Sequence, residues 1–355
     1  MAAEMNAAVL YGKEDVRIER LPVPHAGAGE IVVRVYAALT CGTDLKVFHR
    51  GYHEKMLRPP VPFGHEMAGV VSQVGAGVKT FQKGHRVVSV NSAPCGECFF
   101  CRREQENLCD DLLFNNGAYA EYIRIPARIV EKNTFLVPDT VPLDHAAMTE
   151  PLACVLQGMD EIGVQPHEQM AVIGAGPIGL MFIHMAALHN IDVIAVVKHA
   201  EQVKQARSLG AHHVVQISAT DDVIASVRAL TPDGRGADAV VEAVASPETW
   251  QWAVDMVRKG GVVNFFGGCS AGSKVTLDTN RLHYNNITLR ASFHHRPPVC
   301  RRAFDWITSG RFDSEKFLTG QAPLEQLVPV FQRFTHRNSD IKIAILPGDG
   351  THERS

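Results

Sequence analysis

Cys95, Cys98, Cys101 and Cys109 fall within 15 residues in the pattern C-x2-C-x2-C-x7-C. Spacings this short let a looped backbone turn several sulfurs toward one point, and four thiolates fill the tetrahedral shell of one Zn2+. No position is left for a substrate, so the metal is structural and its binding free energy goes into folding a lobe with little apolar material. A second chemical signal is AVIGAGPIGL, where Gly174, Gly176 and Gly179 form G-x-G-x-x-G, with Pro177 and Ile178 inside the loop. The first glycine permits a tight turn, the second lets the backbone approach a pyrophosphate, and the third permits close helix-to-strand contact. The phosphates then sit on a helix N-terminus, whose N–H groups and dipole favour an anion. Together these features point to one structural zinc and one dinucleotide.

A more dispersed set comprises Cys41 in TCGTD, His65 and Glu66 in GHE, and Glu150 in TEPLA. One thiolate, one imidazole and one or two carboxylates, with water, make an open catalytic zinc site. From spacing alone, a lone cysteine and a histidine 24 residues later are more often core residues than ligands. If Cys41, Glu66 and Glu150 all ligated as anions, the site would carry a net charge of −1 and the metal would be a weaker Lewis acid. One glutamate is therefore expected to bind while the other stands back or exchanges with water. Asp44 is either a buried partner orienting His65 or a turn cap. Cys154, Cys269 and Cys300 have no ligand spacing and read as packing residues.

The elements that must hold these residues differ along the chain. The first 150 residues carry short β patterns, at 31–39, 67–74, 86–90 and 119–125, separated by glycine and proline. From residue 152 apolar strands at 170–173, 192–197, 213–217, 238–243, 261–266 and 287–293 alternate with helical patterns at 178–189, 201–209, 221–230 and 247–258. Such alternation implies a parallel, doubly wound sheet. After Pro298 a helix at 299–309 and a final strand at 341–346 are too little for a domain and should complete the first one, leaving a frayed tail at 348–355. The length of 355 residues fits two domains. Hydrophobic residues at 46% and charged residues at 21% fit a globular chain and not a disordered one. The net charge of −3 gives no reason to expect nucleic acid or an anionic membrane. The longest nearly apolar run, 178–188, contains His184 and is far shorter than the roughly 18 residues of a membrane span. The start, MAAEMNAAVLYGK, lacks the pattern of a signal peptide, so a soluble cytoplasmic protein is expected.

CGTD, GHE, the four-cysteine lobe, EPLA and GAGPIG, in this order and spacing, resemble the zinc-containing medium-chain dehydrogenase/reductase family, in its polyol and threonine dehydrogenase branch. The resemblance covers nearly the whole chain. It implies an α/β protein with a GroES-like irregular β-barrel catalytic domain, residues 1–151 and 296–355 with the zinc lobe at 95–109, and a doubly wound Rossmann domain, residues 152–295. It also implies that Cys41, His65, Glu66 and Glu150 occupy catalytic zinc positions and that the four clustered cysteines hold the structural zinc, two Zn2+ per chain. Thr43 matches the hydroxyl residue that takes the substrate proton; the plain alternative is a strand-end threonine bonded to backbone. Lys46 stands where relatives carry a histidine, so the outer end of the proton relay differs here. Phe266 and Gly267 lie where the family contacts nicotinamide through backbone. Phe114, Asn115 and Asn116, and His294 or His295 where the chain returns toward the catalytic domain, are candidate substrate contacts.

These readings lead to a zinc-dependent oxidoreductase that moves hydride between NAD(P) and a secondary alcohol of a small polar molecule, with the ketone as the reverse substrate. The glutamate at 150, where alcohol dehydrogenases carry a cysteine, favours polyols, sugar alcohols, cyclitols or amino alcohols. A threonine 3-dehydrogenase-type enzyme, a carbonyl reductase, and a non-catalytic nucleotide-binding protein on the same fold are the alternatives. A homodimer or homotetramer is expected from the resemblance. For the dinucleotide, an acidic residue about 20 positions beyond the glycines normally accepts bonds from the ribose 2′-hydroxyl. In IDVIAVVKHAEQ that place falls on Val197 or Lys198, so NADP should serve at least as well as NAD, with Lys198 available to its 2′-phosphate.

Overall fold

The computed structural model describes residues 3–335 and 339–348, so residues 349–355 of the expected frayed tail lie outside the described residues. The chain divides into two compact units, Met1–Ala153 with His295–Ser355, and Cys154–His294.

In the first unit, the strands Thr134–Leu136, Arg86–Ser89, Met67–Val74, Ile31–Leu39, Lys342–Leu346 and Leu318–Pro323 lie side by side in that order. Tyr122–Ile125 also pairs with Ile31–Leu39. The last strand, Lys342–Leu346, runs antiparallel to the end of Ile31–Leu39, pairing Ala344 with Leu39 and Ile345 with Ala38. Two strands not foreseen from the sequence, Glu4–Gly12 and Asp15–Pro22, form an antiparallel hairpin, and the first also pairs with Val61–Pro62. Ile31, Val33, Phe63, Tyr119, Phe331 and Ile343 belong to one buried apolar cluster that backs these sheets. A short helix, Gly42–Arg50, follows Ile31–Leu39, so Thr43 lies in a helical first turn and not at a strand end.

The second unit is a parallel sheet of six strands among the described residues. Numbered by their position in the chain, these run 3-2-1-4-5-6, that is His213–Gln216, Asp192–Val197, Gln169–Ile173, Ala237–Glu242, Val257–Phe265 and Thr288–Ala291. The order reverses between Gln169–Ile173 and Ala237–Glu242. In an open α/β sheet, ligands bind at the carboxyl ends of the strands at such a reversal. Strands covered on both faces read as continuous apolar runs, and Ile173, Ile194, Val196, Val240 and Val263 all lie in the buried core. Among the described residues no helix is long and apolar enough to cross a membrane.

Candidate metal centres and dinucleotide loop

The four clustered cysteines come together in the first unit, on two short 3-10 turns, Cys101–Arg103 and Glu106–Leu108, and the loops beside them. Their sulfurs stand 3.5 Å apart for Cys98–Cys101 and Cys95–Cys109, and 3.9 Å apart for Cys95–Cys101 and Cys98–Cys109. Four thiolates bound to one zinc at about 2.3 Å lie about 3.8 Å from each other, so the set fits a tetrahedral zinc. Backbone N–H groups also aim at the sulfurs, Cys95 N–H donating to Cys109 Sγ at 3.2 Å and Cys98 N–H to Cys95 Sγ at 3.4 Å. The N–H groups of Cys101 and Asp110 pull the Cys98 thiol down to about 6, whereas burial pushes Cys101 up to about 12.

Cys41, His65 and Glu66, from separate segments of the same unit, bring their ligand atoms within 4.8 Å of one another. Cys41 caps the helix Gly42–Arg50, its sulfur accepting from the Thr43 N–H at 3.4 Å. His65 and Glu66 immediately precede the strand Met67–Val74, and the Glu66 carbonyl accepts from the Leu39 N–H. Behind His65 stands Asp44, 1% exposed, with Oδ1 2.9 Å from His65 Nδ1. That contact fixes which ring nitrogen is turned toward the cluster. The Tyr119 hydroxyl lies 2.8 Å from Asp44 Oδ2 and 2.9 Å from the Leu39 carbonyl, and its single proton serves one of them at a time. Burial opposes a charged His65 ring, but Asp44 and Cys41 outweigh it and hold its pKa well above the usual imidazole value. Burial, helped by Glu66, raises the Cys41 thiol.

Glu66 is held by a residue absent from the sequence reading. Lys342 Nζ donates to Glu66 Oε2 at 2.5 Å and to the Thr40 carbonyl at 2.9 Å, and the lysine side chain is 1% exposed. Burial weighs against the lysine charge, but Glu66 and Cys41 hold its pKa above the ordinary value. The second carboxylate oxygen, Glu66 Oε1, is buried and has no hydrogen-bond partner among the described residues. A buried carboxylate oxygen left without a donor is costly, and a cation between Cys41 and His65 would satisfy it. Thiolate, imidazole and carboxylate are ordinary zinc donors, so the set fits the metal.

Glu150 does not join this trio. It lies in the first turn of the helix Thr149–Ile162, with Oε1 3.7 Å from His295 Nε2. The other expected residues scatter more widely. Lys46 is exposed on the helix that Cys41 caps. Phe114 is half-buried in the strand Leu113–Phe114. Asn115 donates to the Arg124 carbonyl at 3.0 Å and Asn116 to the Met56 carbonyl at 2.9 Å, so both amides tie loops together. His294 has φ 63° in the second unit, and His295 begins the return into the first.

In the second unit the glycine loop follows the strand Gln169–Ile173 and opens the helix Pro177–Leu188, with Gly176 as cap and Pro177 and Ile178 in its first turn. Gly174 has φ 98°, and a Cβ at Gly179 would meet the Gly174 carbonyl oxygen at 1.9 Å. A Cβ at Gly176 would meet nothing within 4 Å. Internal contacts therefore do not demand that glycine, and the space above it suits the pyrophosphate of a dinucleotide. Gln202 joins the first two strand ends, accepting from the Lys198 and His199 N–H groups at 3.1 Å and donating to the Ala175 carbonyl at 3.1 Å. Val197 is 1% exposed inside its strand, whereas Lys198 is exposed just beyond it. Glu242, fully buried, accepts from the N–H groups of Val244 and Ala245 at 2.8 Å and orders the loop after the fourth strand. The Phe266 and Gly267 N–H groups donate to the Glu242 carbonyl, and the Gly267 carbonyl accepts from Trp250 Nε1 at 3.1 Å.

Lys342, Tyr119, Gln202 and Glu242 escaped the sequence reading. For Lys342 a signal existed: a lysine within the apolar run IKIAIL is rarely buried unless paired. Tyr119 stood in the GAYAEY stretch, but its partner lies 75 residues earlier, and spacing cannot show that.

Comparison with known proteins places both units in described families. Residues 27–139 match the alcohol dehydrogenase GroES-like domain, and residues 177–309 match the zinc-binding dehydrogenase domain. Sorbitol dehydrogenase from Bacillus subtilis (strain 168) is 29% identical over 351 residues, 97% of each chain. Erythritol/L-threitol dehydrogenase from Mycolicibacterium smegmatis is 31% identical over 367 residues, covering 97% of this chain and 98% of that one. A solved structure from Sinorhizobium meliloti 1021, assigned as a zinc-binding dehydrogenase and bound to NADP, superposes with a TM-score of 0.88 at 28% identity, covering 97% of this chain and 100% of that chain. On these matches the chain belongs to the zinc-containing medium-chain dehydrogenase/reductase family and is a zinc-dependent oxidoreductase of the alcohol dehydrogenase type.

Proposed function

We propose that the enzyme oxidises a secondary alcohol of a small polar molecule with several hydroxyl or amino groups, a polyol, sugar alcohol, cyclitol or amino alcohol, and reduces the matching ketone in reverse. The observation that carries this reading is the trio Cys41, His65 and Glu66, together with a buried Glu66 oxygen that has no hydrogen-bond partner among the described residues. Zinc held there supplies Lewis acidity to the alcohol oxygen, and the dinucleotide supplies the hydride acceptor. The chain's own residues do the rest. Asp44 and Tyr119 keep the His65 ring in one orientation, and Lys342 holds one Glu66 oxygen so that the other is aimed inward. The Thr43 hydroxyl, two residues after Cys41, takes the proton of the substrate hydroxyl, and Lys46 stands further out on the same helix. Phe114 and Asn116 shape the pocket wall. Glu150 supplies a carboxylate where a simple alcohol dehydrogenase has a cysteine, which supports substrates rich in hydroxyl groups.

For the cofactor, Gly174, Gly176 and Gly179 hold the pyrophosphate, and the backbone of Phe266 and Gly267 meets the nicotinamide. The exposed lysine beyond the second strand supports use of NADP at least as well as NAD. The deciding experiment is kcat/KM on a panel of polyols, inositols, amino alcohols and hydroxy acids with both cofactors, read by reduced-nicotinamide absorbance. Absence of turnover across the panel sinks the proposal. We further read the enzyme as a cytoplasmic homodimer or homotetramer, tested by light scattering of the purified protein and by cell fractionation.

A further inference from the structure

His295 and Cys300 belong to none of the sequence motifs, yet both are buried in the first unit, at 2% and 0% exposure. The His295 ring stands between two groups. Its Nδ1 is 3.1 Å from Cys300 Sγ, in the helix Pro297–Thr308, and its Nε2 is 3.7 Å from Glu150 Oε1. The three residues therefore form a line, thiol, imidazole, carboxylate, ending on the glutamate that stays out of the Cys41, His65, Glu66 trio.

We infer that His295 is a positioning residue for Glu150: braced by Cys300, it holds the carboxylate to one side of the metal-binding trio and so keeps the fourth position for the substrate oxygen. A thiol donating to Nδ1 leaves the ring proton on Nε2, facing a carboxylate oxygen that can only accept. Burial pushes the Cys300 thiol well up, which agrees with a proton-bearing sulfur. Neutral imidazole attracts the carboxylate enough to orient it without neutralising it, and the contact at 3.7 Å is a charge–dipole contact rather than a hydrogen bond. Three anionic ligands would leave a catalytic zinc a weaker Lewis acid, so a device that withholds the third has a clear chemical use. This assignment rests on the dehydrogenase reading above.

The test uses the holoenzyme with cobalt in the catalytic site, whose visible bands report coordination number and ligand type independently of turnover. His295→Ala is expected to shift those bands as Glu150 reaches the metal, and to lower kcat about 10–100-fold with a smaller change in KM. His295→Gln, which restores an N–H toward Glu150, should recover the wild-type bands and part of kcat. His295→Ala added to Glu150→Gln should cost little beyond Glu150→Gln alone. Unchanged bands in His295→Ala overturn the inference. So does loss of the metal, which would make His295 a ligand, and so does a raised KM at full kcat, which would make it a substrate contact. If His295→Ala does not fold, Cys300→Val is read in its place, with the same band shift expected and an unshifted spectrum fatal. A wild-type protein inactive on the whole substrate panel refutes the proposed function, while the cobalt spectra still decide the role of His295.

Discussion

At the level of single residues, the Lys342–Glu66 pair sets the sharpest expectations. Both side chains are out of water, at 1% and 0% exposure, and the ammonium is shared with the Thr40 carbonyl. Removing one partner of a buried ion pair strands the other charge, which typically costs about 3–5 kcal/mol. Lys342→Met should therefore lower the unfolding free energy from urea titration by that amount, seen as a lower midpoint, and Glu66→Gln in the same chain should recover much of it. A midpoint equal to wild type in Lys342→Met would falsify the structural weight given to the pair. Asp44 acts through His65, so Asp44→Asn should lower zinc affinity or turnover about 10–100-fold while the fold persists. Cys41→Ala and His65→Ala should each abolish turnover and remove one of two zincs, measured by metal analysis of folded protein. Cys41, His65 and Glu66 stood out through the family resemblance and not through their spacing, and the fold brings their ligand atoms together. Their supports did not stand out, because Tyr119 and Lys342 meet the centre only through tertiary contact.

Among the elements, the parallel sheet was the easiest to read, since strands buried on both faces declare themselves as unbroken apolar runs. The hairpin Glu4–Gly12 and Asp15–Pro22 was missed because its second strand is half exposed and carries Arg17, Glu19 and Arg20, so its composition suits a loop as well as a strand. The strand Leu318–Pro323 contains glycine and proline, residues that usually argue against strands and are tolerated at an edge. The helix Gly42–Arg50 hid for another reason: its cap is a cysteine thiol, outside the usual Ser, Thr, Asp and Asn. Two predictions belong here. Cys98→Ala should lower the melting temperature or the yield before it affects turnover, because a zinc held by the four sulfurs would serve as the core of the lobe. A variant with unchanged melting temperature and no activity would contradict this. At the second strand end, Lys198→Ala should reduce kcat/KM with NADP more than with NAD. An unaltered ratio between the two cofactors would show that the exposed lysine does not touch the 2′-phosphate.

For the molecule as a whole, the first unit is discontinuous, and the strand that completes its sheet comes after the entire second unit. That the last strand returns was legible, because a helix and one strand are too little to stand alone; that it carries the counter-ion of Glu66 was not. The arrangement has a consequence for biosynthesis. Glu66 and Lys342 are 276 residues apart, and at about 5–20 residues per second a ribosome needs roughly 15–55 s to make the second after the first. For that interval the segments carrying Cys41, His65 and Glu66 lack the closing strand and the ammonium that pairs with Glu66, while residues 154–294, a compact unit of their own, are already complete in sequence. Chains arrested at residue 341 should accordingly show a protease-resistant core at 154–294 and cleavage within 1–150, and resistance of both regions would refute this order. A cell short of zinc is then expected to accumulate full-length chains whose dinucleotide unit, which holds neither the Cys41 trio nor the four-cysteine lobe, is complete, while both donor sets of the first unit still wait to be charged.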